Sequence, residues 1–309
     1  MTPESESFAT LVICSFDRRD SLDETLDSVA DQRSAAPWDV LVVDNNSSDG
    51  TAEAVAQRAA GFPVPLRVIR EERQGRSHAL NRAIDATSSE VLIFTDDDVD
   101  LRPGFVAAHC AAYEDAAVAG AGGRILPVMP DNTPPWMRAL AEEANGGLTG
   151  RYDWGDEVCR VEVDGDIHLP YGANMSLRRR VAREFGGFRP DLGWGKSFVP
   201  GEENELFGRV RSGGGSVVYR PDAVALHRFQ PDKATLEYFL RYELGYGRAQ
   251  VLIAELGRRE RLRWVLRNAL GLAVHSARAG LPTRKLALRI EPLRQRARSL
   301  GRLAQLLGC

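Results

Sequence analysis

Apolar positions come in short runs of strand length, and each run is followed by a stretch with helical spacing. Residues 9–15 form the first run, and residues 21–32 follow with Leu22, Leu26 and Val29 on one helical face. Residues 40–44 give a second strand. It closes in Asn45-Asn46-Ser47-Ser48-Asp49-Gly50, a series of turn and cap residues ahead of a helix near Thr51. Residues 66–69 give a third strand, and Gly75 opens a helix through Ala86. Residues 91–95 give a fourth, with Pro103 at the next helix start. This alternation predicts an α/β fold, a mostly parallel sheet with helices on both faces.

Beyond residue 126 the pattern changes. Residues 127–170 are rich in Pro, Gly and Trp with one short helical candidate at 136–144, and loops of that length in a compact domain are usually functional. Regularity returns with a strand at 174–177, a helix at 203–211, the turn Gly213-Gly214-Gly215 and a strand at 216–219. From Thr235 onward the chain reads as helices. Leu293, Ala297, Leu300, Ala304 and Leu307 recur at alternating spacings of four and three, an amphipathic stripe beginning after Pro292. No internal repeat interrupts this order.

Composition narrows the class. The 309 residues suffice for one large domain or a domain with an appendage. Residues 1–7 are polar and acidic, unlike a secretory signal, and no uncharged apolar run approaches about 18 residues, so no spanning helix is expected. Cys14, Cys110, Cys159 and Cys309 lack metal or redox spacing and read as thiols of a reducing cytoplasm. The chain carries a net −3, yet residues 241–309 hold 15 Lys and Arg against 4 Asp and Glu. The acidic remainder suits a cation-assisted site. The basic tail suits an anionic surface, either a membrane or the protein's own acidic body.

The candidate chemistry sits at strand ends. Asp96-Asp97-Asp98 follow the fourth strand directly, where open α/β sheets hold their ligands. Adjacent carboxylates repel unless a cation neutralises them, and oxygen ligands suit Mg²⁺ or Mn²⁺. Asp44, ending the second strand, could accept hydrogen bonds from a nucleobase or ribose, or could simply cap a helix. No dinucleotide-binding glycine fingerprint follows the first strand, and neither a P-loop nor a nucleophile elbow occurs.

The blocks Val42-Val43-Asp44-Asn45-Asn46-Ser47-Ser48-Asp49-Gly50-Thr51, then Gly75, Arg76, Ala79, Leu80 and Asn81, then Phe94-Thr95-Asp96-Asp97-Asp98 resemble those of glycosyltransferase family 2. So do Tyr171-Gly172-Ala173-Asn174-Met175-Ser176-Leu177-Arg178-Arg179 with Gly186-Gly187-Phe188, Gly201-Glu202-Glu203-Asn204-Glu205-Leu206 with Arg209, and Pro221-Asp222-Ala223-Val224-Ala225-Leu226-His227. Six blocks in family order, from about Thr10 to about Arg248, make the resemblance specific.

The resemblance implies a GT-A fold: a Rossmann-like mixed sheet with helices on both faces, here with a C-terminal helical extension. It implies a nucleotide-binding half at 1–126, an acceptor and catalytic-base half at 127–232, and a basic extension at 233–309. An inverting transfer of one sugar from a nucleotide-diphosphate sugar is expected, with Mn²⁺ or Mg²⁺ as cofactor. Ser15, Asp44, Asn46, Arg76, Asn81, Asp96 and Asp97 would serve the donor, and Asp98 with His227 the metal. Glu203 would be the base, with Glu202 its competitor because a Glu-Glu pair replaces the family's Glu-Asp. Gly172, Ala173, Asn174, Trp194 and Glu205 would face the acceptor, with Trp136 and Trp154 offering aromatic faces to sugar. The acceptor would be a glycan, a lipid-linked sugar or a small molecule bearing a hydroxyl. No nucleic acid is expected as partner, and a homodimer or a peripheral contact at the inner membrane face would use the C-terminal helices. Glu260-Arg261-Leu262-Arg263-Trp264 approaches the polymer-gripping motif of processive members, with glutamate for glutamine, and is read as chance. The alternatives are a same-fold retaining transferase or nucleotidyltransferase, and a non-catalytic nucleotide-sugar-binding protein.

Overall fold

The strand β1 (Ala9–Ser15) is the axis of the sheet, fully buried but for its sixth residue. In this computed structural model, residues 7–143, 147–161, 169–193, 195, 198–254, 256–280 and 287–308 are described. β1 pairs in parallel with β2 (Trp38–Asp44) on one side and with β4 (Val91–Thr95) on the other, and β3 (Leu66–Arg70) pairs outside β2. The crossovers are α1 (Arg19–Ala30), α2 (Thr51–Ala59) and α3 (Arg76–Ala86), as the helical spacing predicted. Alternate residues of β1 enter opposite layers. Leu11 and Ile13 pack with Leu22, Leu26 and Phe105 of α4 (Phe105–Ala112), while Val12 packs with Leu80, Ile84 and Phe207.

The far half of the sheet is mixed. The order is β3-β2-β1-β4-β8-β6-β9-β5, with β8 (Asn174–Arg178) antiparallel to both β4 and β6 (Val118–Val128). β9 (Ser216–Arg228) runs parallel to β6, and β5 (Val99–Leu101) and β7 (Cys159–Arg160) pair antiparallel with β9. Two expected features change. The strand foreseen at 216–219 continues through Pro221 to Arg228, because the register shift between Gly123 and Arg124 lets residues 221–223 bulge out of the ladder. The segment foreseen as loop from 127 begins as the end of β6, a strand hidden by its glycines. A Cβ at Gly120 would lie 2.7 Å from the Phe207 ring and one at Gly123 2.3 Å from the Ala223 carbonyl, so close packing excludes the β-branched residues that usually mark a strand. The remaining helices of this part are α6 (Arg179–Glu184) and α7 (Glu202–Ser212).

The chain divides into two compact units: residues 1–128, 145–190 and 202–228, which hold the sheet, and residues 129–144, 191–201 and 229–309. The second contains α5 (Pro135–Glu143), α8 (Leu236–Ile253), α9 (Arg258–Gly280) and α10 (Ala287–Leu307). The Thr235 hydroxyl caps α8, accepting from the Tyr238 N–H at 3.1 Å. Pro292 lies inside α10 rather than before it. α8 and α10 meet backbone to backbone: a Cβ at Gly247 would stand 2.2 Å from the Arg298 carbonyl oxygen, and one at Gly301 1.9 Å from that of Leu244. Fully buried Glu243 on α8 receives Arg294 Nε at 3.1 Å and also Arg298. Ala297 of the expected stripe is buried in this packing, whereas Leu300 and Leu307 stay exposed.

Among the described residues no helix is long and apolar enough to cross a membrane. Cys14, Cys110 and Cys159 are free thiols, and Cys309 lies outside the described residues.

Candidate functional site

The sheet changes direction of growth at β1: β2 and β3 follow on one side and β4 on the other, which leaves a crevice at the carboxyl ends of these strands. The register sets Ser15 opposite Asp44 and Ile13 opposite Thr95, so Asp44 and the aspartate triplet flank one strand end. Asp44 is buried. Its Oδ1 accepts the Ser47 N–H at 2.9 Å, and its Oδ2 is buried with no hydrogen-bond partner among the described residues. Asn46 takes a positive φ of 68° and accepts from the Arg70 guanidinium. Asn45 braces the next loop, its Oδ1 accepting the Gly75 N–H at 2.8 Å and its Nδ2 donating to the Glu71 and Arg73 carbonyls. At Gly75 φ is 138°, and α3 starts with Arg76 aimed by that turn.

The three aspartates have separate surroundings. Asp97 turns inward, accepting from the Ser15 hydroxyl at 2.7 Å and Arg18 Nη1 at 3.0 Å. Burial, opposed by Arg18, pushes its carboxyl up to about 6. Asp98 Oδ2 pairs with Arg18 Nη2 at 3.0 Å, and its Oδ1 stands 3.3 Å from His227 Nε2. Strand pairing produces that contact, since Val99 of β5 faces His227 of β9 and the Arg228 N–H donates to the Asp98 carbonyl at 2.8 Å. Asp96 faces Arg76, whose Nη1 lies 2.5 Å from its Oδ1. One potential ligand atom from each of Asp96, Asp98 and His227 lies within 4.8 Å of the others. The two carboxylates suit Mg²⁺ or Mn²⁺, and with the imidazole they leave room for further oxygen ligands.

A second carboxylate group adjoins the first through Arg76. Its Nε meets Glu202 Oε1 at 3.0 Å, so one guanidinium spans Asp96 and Glu202. Burial works against that charge, but the two carboxylates more than offset it and hold Arg76 ionised. Gly172 leaves it room: a Cβ there would lie 2.4 Å from Nη2. Glu202 is buried in this pair. Glu203 beside it is partly exposed, and burial together with the Glu202 charge pushes its carboxyl from 4.5 up to about 8.

Other expected residues do different work. Asn81 grips the Phe188 backbone, accepting its N–H at 2.8 Å and donating to its carbonyl at 2.7 Å, which ties α3 to the Gly186-Gly187 turn. Ala173 is buried and its carbonyl accepts from the Thr95 hydroxyl at 2.8 Å. Asn174 is fully buried, donating to the Arg124 and Ala223 carbonyls and bonding His109 Nε2 at 2.7 Å, so it has no surface for an acceptor. Glu205 forks onto Arg209 at 2.8 and 2.7 Å, and Arg209 reaches the Gly187 carbonyl, which fixes α7. Trp154 packs edge-on to buried Tyr152, and Trp136 packs on Phe239 in the second unit. Trp194 lies outside the described residues. The sequence reading missed Arg18 and Asn45. The signal for Arg18 was the pair of bases Arg18-Arg19 just after β1, legible only once β1 is known to adjoin β4.

Residues 10–186 match the model of "Glycosyl transferase family 2". The chain is 24% identical over 269 residues to Glycosyltransferase AglE of Haloferax volcanii, covering 86% of this chain and 80% of that protein. It is 26% identical over 276 residues to succinoglycan biosynthesis protein ExoM of Rhizobium meliloti, covering 87% and 80%. Among solved structures, the mannosyltransferase PcManGT of Pyrobaculum calidifontis, in complex with GDP-Man and Mn²⁺, superposes with a TM-score of 0.56 at 19% identity over 99% of this chain and 75% of that one. Glucosyl-3-phosphoglycerate synthase of Mycobacterium tuberculosis, in complex with Mn²⁺, UDP-Glc and phosphoglyceric acid, gives 0.51 at 15% identity over 80% of each chain. At these identities the structural likeness is one of fold.

Proposed function

Because the chain belongs to glycosyl transferase family 2 and is a glycosyltransferase, we propose that it moves one sugar from a nucleoside-diphosphate sugar to an acceptor hydroxyl, with inversion at the anomeric carbon and the help of Mn²⁺ or Mg²⁺. The observation that carries this reading is the gathering of Asp96, Asp98 and His227 beside a buried Asp44 whose Oδ2 awaits a donor. In this reading Asp96, Asp98 and His227 hold the ion. A divalent ion bound there supplies positive charge for the departing nucleoside diphosphate. Asp44 accepts an N–H of the base or a ribose hydroxyl, satisfying an oxygen that is costly to leave buried and unpaired. Arg76 bridges Asp96 and Glu202 and so orients both.

Glu203 takes the proton from the acceptor hydroxyl as that oxygen displaces the diphosphate in line. A base that titrates near neutrality is well matched to the task. Glu205 and Arg209 position the helix that carries it. Transfer of single sugars is supported by Glu260, whose carboxylate accepts the Gly257 N–H at 2.9 Å and so caps α9, leaving the residue that departs from the polymer-gripping motif with a local role. Relatives include the N-acetylglucosaminyl-diphospho-decaprenol L-rhamnosyltransferase of Mycobacterium tuberculosis, which makes a lipid-linked sugar the first acceptor to try.

Asp98→Ala is expected to abolish transfer and weaken donor binding in an assay of nucleotide release and product formation. Full activity in excess chelator, or a product with the donor's anomeric configuration by NMR, would overturn the reading.

A further inference from the structure

One face of α9 is spoken for. Asn268 is buried and its Oδ1 accepts from Arg302 Nη1 of α10 at 3.1 Å, and a Cβ at Gly271 would sit 3.5 Å from Ser299 Oγ. The opposite face carries Leu262, Leu266, Leu270 and Val274, which are 62, 64, 69 and 40% exposed. A spacing of four stacks them along one side of the helix. Exposed Ala269, Ala273 and Ala277 fill the same strip, and exposed Arg263, Arg267 and Arg278 line one border of it. The helix holds a single acidic residue, Glu260, in its first turn.

An apolar strip this long in water needs an occupant. A second copy of the chain would bring two arginine borders together with no carboxylate in the strip to pair them. An anionic lipid surface matches both features: the aliphatic side chains enter the boundary of the acyl region, and the guanidiniums meet headgroup phosphates. The arginines also exclude a spanning role, in keeping with the hydropathy of the described helices.

We propose that α9 lies flat on a membrane surface rich in anionic lipid, anchored by Leu262, Leu266, Leu270 and Val274. This goes beyond the transfer reaction and does not depend on which sugar or base is used.

The test is co-flotation of the full chain with phosphatidylcholine vesicles and with the same vesicles containing phosphatidylglycerol. The wild type should float with the anionic vesicles and at least about tenfold more weakly with the neutral ones, each arginine at the surface being worth about fivefold. Leu266→Gln with Leu270→Gln, both exposed, should lose about tenfold or more of that binding at an unchanged melting temperature. Arg263→Gln with Arg267→Gln should lose the preference for anionic lipid. A wild type that stays in solution, or a leucine variant that floats equally well, would overturn the proposal. So would a wild-type dimer by light scattering that the leucine variant splits, since the strip would then be a subunit interface.

Discussion

Glu203 and Arg18 are the residues on which the site turns. Glu203→Gln keeps the volume of the side chain and removes its basicity, so turnover should fall by about two to four orders of magnitude while donor affinity, read by calorimetry, stays within about twofold. Glu202→Gln should instead loosen Arg76 and weaken donor binding. The raised carboxyl of Glu203 sets two pH dependences. The wild-type rate should climb as pH rises towards about 8, where Glu203 loses its proton. Folding favours the neutral form, so this contribution to stability is full below 4.5 and is lost as pH rises through about 8. The Gln variant should therefore melt with the wild type in acid and above it at about pH 9. Arg18→Met strips Asp97 and Asp98 of their nearest cation and should cost about 2 kcal/mol in denaturant unfolding, partly restored by Mn²⁺.

At the level of elements, the first four strands were legible because each is a short apolar run closed by turn residues, and the triplet announced itself by standing at such an end. β5 was not, being three residues long, nor was β6, whose Gly120 and Gly123 are demanded by neighbours far away in sequence. The roles of Arg18 and Asn45 were hidden for the same reason, since each depends on which strands become neighbours. His227 was read from family likeness, and the pairing of β5 with β9 supplies the physical cause of its approach to Asp98. Asn174, expected at the acceptor, is instead occupied with main-chain carbonyls and His109. Among the helices, the crossing of α8 with α10 is the most sensitive point. Gly301→Ala places a methyl group against a backbone carbonyl that has no rotamer to yield, and should destabilise by about 3 kcal/mol in a thermal melt. Gly172→Ala meets only the movable end of Arg76, and should lower donor affinity with little change in melting temperature.

For the whole chain, the donor should act as a fold stabiliser. A matching nucleotide sugar with Mn²⁺ at a hundred times its dissociation constant should add about 2.7 kcal/mol, and a panel of uridine, guanosine and thymidine donors followed by thermal shift should single out the base. Chelator should erase the shift. One guanidinium gives this equilibrium a further property. A cation drawn to Asp96 competes with Arg76 for that carboxylate, leaving more of the guanidinium to Glu202 and less repulsion on its neighbour Glu203. Donor arrival should thus expel a fraction of a proton, detected as a dependence of the binding heat on the ionisation enthalpy of the buffer. By reciprocity, raising the pH must tighten donor binding by the same factor. The enzyme would then arm its base more fully when there is a sugar to transfer.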